Sequence, residues 1–309
     1  MKYNLVTILG PTASGKTRLG VYLSSLFNGE IISADSRQVY LGMDIGTGKD
    51  YDDYIFDNRK IPFHLIDIIS PKEEYNLFRF KQDFIIAYSN ILERGKNPFM
   101  VGGTGLYLSA ILQNYKLSKV DFEIELRKKL EKLPIEELRD ILLSLKPKLH
   151  NTTDFNYKER IIAAILIEKF KTEVNNHELL DYSVNSINIG VKVNRNEHKK
   201  LISQRLKKRL ESGMIEEVER LLTSGITHEK LCFFGLEYKY VSLFIRKELS
   251  YNDMFQKLNS AINQFAKRQM TWFRKMEREG VLINWVDYTN SEEAEKNLIS
   301  SGFDPQNYT

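Results

Sequence analysis

In 309 residues the sequence has one cysteine, Cys232. That excludes an intrachain disulfide framework and implies a reducing compartment. Its five histidines are scattered and stand beside no second cysteine, so zinc-ligand spacing is absent. No apolar run approaches the ~20 residues that span a bilayer. The N-terminal stretch Leu5–Leu9 is too short for a signal-peptide core and runs into a glycine turn. With seven prolines, seventeen glycines and no internal repeat, collagen-like and low-complexity architectures are excluded. A cytoplasmic protein without membrane attachment is expected. The hydrophobic share of 42% against 28% charged residues excludes a mostly disordered chain.

A net excess of charge is also nearly lacking: 45 basic against 41 acidic residues leave a formal +4, too small to argue a nucleic-acid partner by itself. The distribution says more. Lys192, Arg195, Lys199, Lys200, Arg205, Lys207, Lys208 and Arg209 face one acid, Glu197, over eighteen residues. Lys267, Arg268, Arg274, Lys275 and Arg278 fall beside Trp272 and Phe273. A solvated helical face accounts for either cluster alone. The two together, one with aromatics, point to a polyanion.

The length exceeds what one core usually fills, so a large domain with a smaller second one is expected. Asn4–Leu9, Glu30–Ala34, Phe63–Ile69 and Phe99–Val101 read as short buried strands. They alternate with helix-spaced apolar residues after Lys16 and from Leu77 to Arg94. That alternation predicts an α/β fold, a parallel sheet flanked by crossover helices. From Asp121 to Lys171 the pattern is charged and helical with no strand signal. Ser186–Val193 and Leu282–Val286 return to strand-like patterning, separated by helices over Arg195–Leu222, Tyr238–Arg246 and Asp253–Arg278. A core of 1–117 and 186–309 interrupted by a helical insertion at 118–185 follows.

Gly10, Pro11, Thr12, Ala13, Ser14, Gly15, Lys16 and Thr17 fit G-x-x-x-x-G-K-[ST] between a strand and a helix. Such a loop turns backbone N–H groups toward phosphate oxygens, with Lys16 as a point charge and the Thr17 hydroxyl suited to Mg²⁺. The loop alone does not separate ATP from a diphosphate leaving group. Ligands of open parallel sheets sit beyond the carboxyl ends of the strands. Asp35 and Thr104 are expected there too, Asp35 as metal ligand, general base or turn cap, Thr104 as a hydroxyl donor or a local backbone cap. His64 reads as a structural histidine and Asp67 as a weak metal-ligand candidate.

Asp35-Ser36-Arg37-Gln38-Val39-Tyr40 matches the motif DSxxxY, and Gly42-Met43-Asp44-Ile45-Gly46-Thr47 with Lys49 matches GMDIGTxK. Val101-Gly102-Gly103-Thr104-Gly105-Leu106-Tyr107 matches VGGTGLY, and Ala266-Lys267-Arg268-Gln269-Met270-Thr271-Trp272-Phe273-Arg274 is close to AKRQxTWFR. In this order, with GPTASGKT before them, they resemble the tRNA dimethylallyltransferases over most of the chain. The resemblance implies a P-loop NTPase-like core whose helical insertion closes over a tRNA anticodon stem-loop. The implied reaction moves a dimethylallyl group from dimethylallyl diphosphate to the exocyclic N6 amine of the adenine 3′-adjacent to the anticodon, in tRNAs reading codons that begin with U. Diphosphate leaves. Asp35 would take the amine proton, and Lys16, the loop amides, Mg²⁺ on Thr17 and the Thr104 hydroxyl would stabilise the leaving group. Asp35, Ser36, Arg37 and Gln38 would touch the target nucleotide, which must leave the loop stack. Arg160, Lys267, Arg268 and Arg274 would touch the tRNA. A monomer is expected.

Two segments depart from the family pattern. Where the family shows Asp-Pro-x-Arg-x-x-Arg, this chain keeps only Asp154 and Arg160. Its Ile-Gly-Tyr-(Lys/Arg) segment appears as Leu236-Glu237-Tyr238-Lys239. Both departures point to altered RNA contacts. The rival readings are a P-loop small-molecule kinase, a nucleotide-switched RNA-binding protein, and prenyl transfer to free AMP.

Overall fold

The computed structural model describes residues 3–115, 124–145, 158, 161–162, 164–166 and 184–303. Strand β1 (Leu5–Leu9) is buried at every position, as a strand covered on both faces requires. Helix α1 (Lys16–Leu26) returns the chain to β2 (Gly29–Ala34), again buried throughout. A 3₁₀ turn at Tyr51–Tyr54, a hairpin of β3 (Ile55–Phe56) and β4 (Arg59–Lys60), and β5 (Phe63–His64) follow. Next come α2 (Leu77–Glu93), β6 (Asn97–Gly102) and α3 (Gly105–Leu112).

The chain forms two compact units, Met1–Tyr115 with Tyr182–Thr309, and Lys116–Asp181. In the second unit, α4 (Ile124–Glu131) and α5 (Ile135–Leu145) contribute Leu130, Leu138 and Leu142 to a small core with Ile161, Ile162, Ile165 and Leu166. The first unit resumes with β7 (Ser186–Lys192), α6 (Arg195–Glu211), α7 (Met214–Thr223), α8 (His228–Phe234) and α9 (Leu236–Ile245). It ends on α10 (Tyr251–Arg278), β8 (Asn284–Asp287) and α11 (Ser291–Ser300). Among the described residues, no helix is long and apolar enough to cross a membrane.

The main sheet is six-stranded in the order β5-β2-β6-β1-β7-β8, with every pairing parallel. The expected α/β core flanked by helices is therefore present. Val6, Ile8, Ile31, Phe99, Ile189 and Val286 pack with Val21 and Leu23 of α1 and with Ala294 and Leu298 of α11. Register decides where function can sit. Leu9 and Ala34 both pair with Gly102, so β1, β6 and β2 finish level with one another.

Several elements differ from the sequence reading. Phe63–Ile69 supports only a two-residue strand, because Leu65 (φ 62°) and Asp67 (φ 55°) take left-handed backbone that ends the pleat. A lone parallel bridge between Tyr40 and Ile69 follows, outside the named strands. The stretch Arg195–Leu222 breaks at Gly213 (φ 98°) into α6 and α7, which its unbroken apolar spacing hides. Helices α8 and α11 and the small hairpin had no sequence expectation.

Candidate functional site

The phosphate loop is built by alternating backbone. Ala13 (φ 59°) and Gly15 (φ 80°) are left-handed, a pattern that turns successive N–H groups to one concave side, and α1 starts directly behind it. The Ser14 hydroxyl is buried there with no hydrogen-bond partner among the described residues. Lys16 reaches back to the Pro11 carbonyl at 3.4 Å. Burial pulls its pKa from the ordinary 10.5 to about 8, helped by the Arg205 charge and opposed by Asp35. An ammonium held where it is costly, beside an unpartnered hydroxyl and inward N–H groups, is a site for an anion.

The donor set also tests for a metal. Among the described residues no group of three or more His, Cys, Asp or Glu side chains stands together, so a resident ion caged by protein carboxylates has no ligands here. Mg²⁺ usually keeps phosphate oxygens and waters and takes one or two protein oxygens. The Thr17 hydroxyl on the first turn of α1 fits that smaller demand.

Asp35 follows the last residue of β2. Its Oδ1 accepts from the Arg37 N–H at 2.8 Å in a local turn, and Oδ2 has no partner among the described residues. One oxygen fixes the side chain and the other is left over. Thr104 follows β6 at the N-cap position of α3, yet its hydroxyl caps nothing in that helix. Instead its Oγ1 accepts from the Ser36 N–H at 3.1 Å, while its own N–H donates to Ala34 at 3.3 Å. The hydroxyl thus ties the β6 end to the β2 end and keeps its proton for another acceptor.

Several contacts around the phosphate loop escaped the sequence reading. Gln269 sits on the buried stripe of α10, among Met254, Leu258, Ile262, Ala266, Phe273 and Met276. Its Oε1 accepts from the Thr12 N–H at 2.9 Å and its Nε2 donates to the Gly103 carbonyl at 2.8 Å. One side chain therefore spaces the phosphate loop from the β6 turn. Gly103 has to be glycine for this, since a Cβ there would lie 2.6 Å from Gln269 Nε2 and 3.0 Å from the Gly10 carbonyl. A lone polar residue on an apolar helical stripe was the available signal. His198 donates to the Thr12 carbonyl at 2.7 Å, and Arg205 lies 3.4 Å from Thr12 Oγ1 and 3.1 Å from Asp50. Arg209 is buried beside Gly46 and Glu237, its pKa drawn down to about 10 by burial and then by Arg205. The basic run on α6 is thus partly turned inward, onto the loop.

Of the residues expected to touch RNA, Lys267, Arg268 and Arg274 are exposed along α10. Gln38 is occupied within the fold, accepting from Ser33 at 2.9 Å and donating to Gly48 at 3.1 Å. The Arg37 guanidinium lies 5.1 Å from the Phe233 ring centre. Arg160, and Asp154 with it, lie outside the described residues. His64 is structural, 2.8 Å from Glu30, which Arg94 also holds. Asp67 is not free for a metal, because Lys49 and Tyr51 both bind it.

The Asp44–Gly46 loop is held by a buried acid. Glu217 of α7 accepts from the Asp44, Ile45 and Gly46 N–H groups and from the Tyr238 hydroxyl, at 2.6–3.0 Å. Glu217→Ala would bare these donors, at about 1–3 kcal/mol for each one left buried. A fall in denaturation midpoint several times that of Glu216→Ala, on the same helix, is the expected result; equal midpoints would show the loop closes without it.

The comparisons with known proteins agree with one another. A model described as IPP transferase matches residues 38–276. The chain is 49% identical over 299 residues to tRNA dimethylallyltransferase 2 of Bacteroides fragilis, covering 96% of this chain and 97% of that protein. It is 50% identical over 287 residues to tRNA dimethylallyltransferase 1 of Azobacteroides pseudotrichonymphae, covering 93% and 94%. Among solved structures, the full-length tRNA isopentenylpyrophosphate transferase of Bacillus halodurans matches with a TM-score of 0.68 at 31% identity, over 97% of this chain and 96% of that one. A eukaryotic dimethylallyltransferase acting on tRNA shares the fold, with a TM-score of 0.75 at 22% identity over 97% and 77%.

Proposed function

This chain belongs to the IPP transferase family, and from that premise we propose how its own residues prenylate tRNA. It is a transferase that modifies tRNA, as its relatives are named. The donor is dimethylallyl diphosphate, lying with its phosphates in the Gly10–Thr17 loop. The acceptor is the N6 amine of an adenine flipped out of the anticodon loop, 3′ to the anticodon in tRNAs reading codons that begin with U. The bond from the allylic carbon to the bridging oxygen breaks, its electron pair leaves with diphosphate, and the amine forms the new C–N bond.

The amine lone pair is delocalised into the ring, so attack is weak until a base takes the proton. Asp35 does this through the oxygen its turn leaves unused. Charge gathers on the departing diphosphate, where Lys16, Arg205, the loop N–H groups and the Thr104 hydroxyl meet it. Thr17 would hold Mg²⁺ with the phosphate oxygens, and the ion when bound would neutralise part of that charge. The protein would act as a monomer, in the cytoplasm, on tRNA. The insertion 118–185 would close on the stem-loop, and Lys267, Arg268 and Arg274 would meet tRNA phosphates.

The observation that supports this reading best is the levelled ends of β1, β6 and β2, with Thr104 bonded to the Ser36 N–H between them. A small-molecule kinase shares the loop, but it is not favoured, since the relatives above are tRNA prenyltransferases. The test is transfer of radiolabelled dimethylallyl diphosphate, with Mg²⁺, into tRNA that lacks the modification. Label in the tRNA is expected. Unlabelled tRNA together with ATP-dependent phosphorylation of a small acceptor would favour the kinase.

A further inference from the structure

Phe233 and Phe234 are neighbours at the end of α8 with opposite fates. Phe234 is 1% exposed and packs edge-on against Tyr40 at 4.9 Å and Tyr238 at 6.4 Å. Phe233 is 47% exposed, although an aromatic ring of its size normally gains by burial. Two cations flank it: the Arg37 guanidinium 5.1 Å and the Lys230 ammonium 5.5 Å from the ring centre.

Arg37 is unusual in its own right. It is partly buried, and burial lowers its pKa against the opposing pull of Tyr40 and Asp35. Yet its guanidinium makes no hydrogen bond or ion pair among the described residues, and it lies 5.1 Å from the centre of the Phe233 ring. Its backbone N–H is the donor that fixes Asp35 at 2.8 Å. The ring, the idle guanidinium and the proposed base are therefore joined through two residues of chain.

We propose that Phe233, braced by Arg37 and Lys230, is a stacking shelf for an unpaired base of the substrate RNA beside the prenylated adenine. This rests on the tRNA reading above and deepens it. An exposed aromatic ring beside cations that make no ion pair among the described residues is the composition by which proteins hold splayed single-stranded bases. The ring takes the base and the cations take the adjoining phosphate. Once the target adenine leaves the loop stack, its neighbour loses a stacking partner, and a ring anchored near Asp35 replaces it. Arg37 falls on an open position of DSxxxY, and Phe233 adjoins the divergent Leu236–Lys239 segment. The shelf thus adds a base contact beside the Asp35–Gln38 segment that the resemblance places against the target nucleotide.

Phe233 is a positioning residue, so the test separates binding from chemistry. An anticodon stem-loop carrying 2-aminopurine next to the target adenine is titrated into wild type, Phe233→Ala, Phe233→Trp and Arg37→Ala, and transfer is measured in parallel. For Phe233→Ala the expected results are a rise of about tenfold or more in KM for the stem-loop, kcat within about twofold, and unchanged KM for dimethylallyl diphosphate. A fluorescence quench is expected on binding to wild type, lost in Phe233→Ala and restored in Phe233→Trp. Arg37→Ala should show a partial loss. Wild-type transfer with equal KM and equal quench in Phe233→Ala overturns the shelf alone. No transfer and no quench with the wild-type chain overturns the tRNA reading and the shelf together.

Discussion

Asp35→Asn is expected to lower kcat for dimethylallyl transfer by about 10²–10⁴-fold, with affinity for dimethylallyl diphosphate within about twofold of wild type. The substitution isolates proton transfer, because an amide oxygen still accepts from the Arg37 N–H and the turn after β2 survives. What it removes is the second carboxylate oxygen, the one with no partner among the described residues. Asp35→Ala loses the turn acceptor as well, so it should add a rise in KM for the RNA that Asp35→Asn lacks. Single-turnover transfer with saturating stem-loop checks both. If Asp35→Asn keeps a rate within a few-fold of wild type, Asp35 is a turn residue and the amine loses its proton elsewhere.

That split between turn and chemistry marks what the sequence made legible. The loop Gly10–Thr17 could be read because everything it needs is contiguous: a strand before, a helix behind, glycine where φ is positive. Asp35 and Thr104 could be read because parallel strands of equal depth must end on one edge, and the shared pairing of Leu9 and Ala34 with Gly102 realises that. The partners of Gln269, Glu217 and Arg205 could not be read, since each lies far away in the chain. Gln269 meets Thr12 across 257 residues and Glu217 meets Asp44 across 173. Spacing reports which face of a helix is buried but not which backbone groups that face will meet. The strand expected at Phe63–Ile69 failed for a different reason. Apolar content was right, but Lys49 and Tyr51 draw Asp67 into a left-handed turn, which hydrophobicity does not encode. Gln38 shows the reverse case, a motif residue near the site whose amide is spent on Ser33 and Gly48.

Lys16→Met is expected to lower kcat/KM for dimethylallyl diphosphate by on the order of 10²–10³-fold and to remove a pH dependence that wild type shows. Burial, and then Arg205, draw the Lys16 pKa from 10.5 to about 8, with Asp35 opposing. In the ligand-free protein the charge is therefore present below about pH 8 and lost above it. A bound diphosphate favours the ammonium and raises that pKa, so binding above pH 8 must take up a proton. The advantage of wild type over Lys16→Met should shrink by up to about tenfold per pH unit above 8. Comparing the two proteins cancels the ionisation of the ligand itself.

Stability should run the other way. Between about 8 and 10.5 the folded state binds fewer protons than the unfolded chain, so this lysine's contribution to folding rises with pH through that window. Below about 8 both states hold the proton, and the folded state carries the full cost of a buried charge. At pH 7 the ligand-free Lys16→Met protein should thus melt higher than wild type, and saturating diphosphate should reverse the order. Calorimetric titration of inorganic diphosphate from pH 7 to 10, with melting curves on the same samples, reads both effects. No wild-type advantage anywhere in that range would remove Lys16 from the phosphate contact and leave Arg205, held on Thr12, as the cation that meets the leaving group, whereas an advantage that stays flat would show that Lys16 keeps its proton up to pH 10.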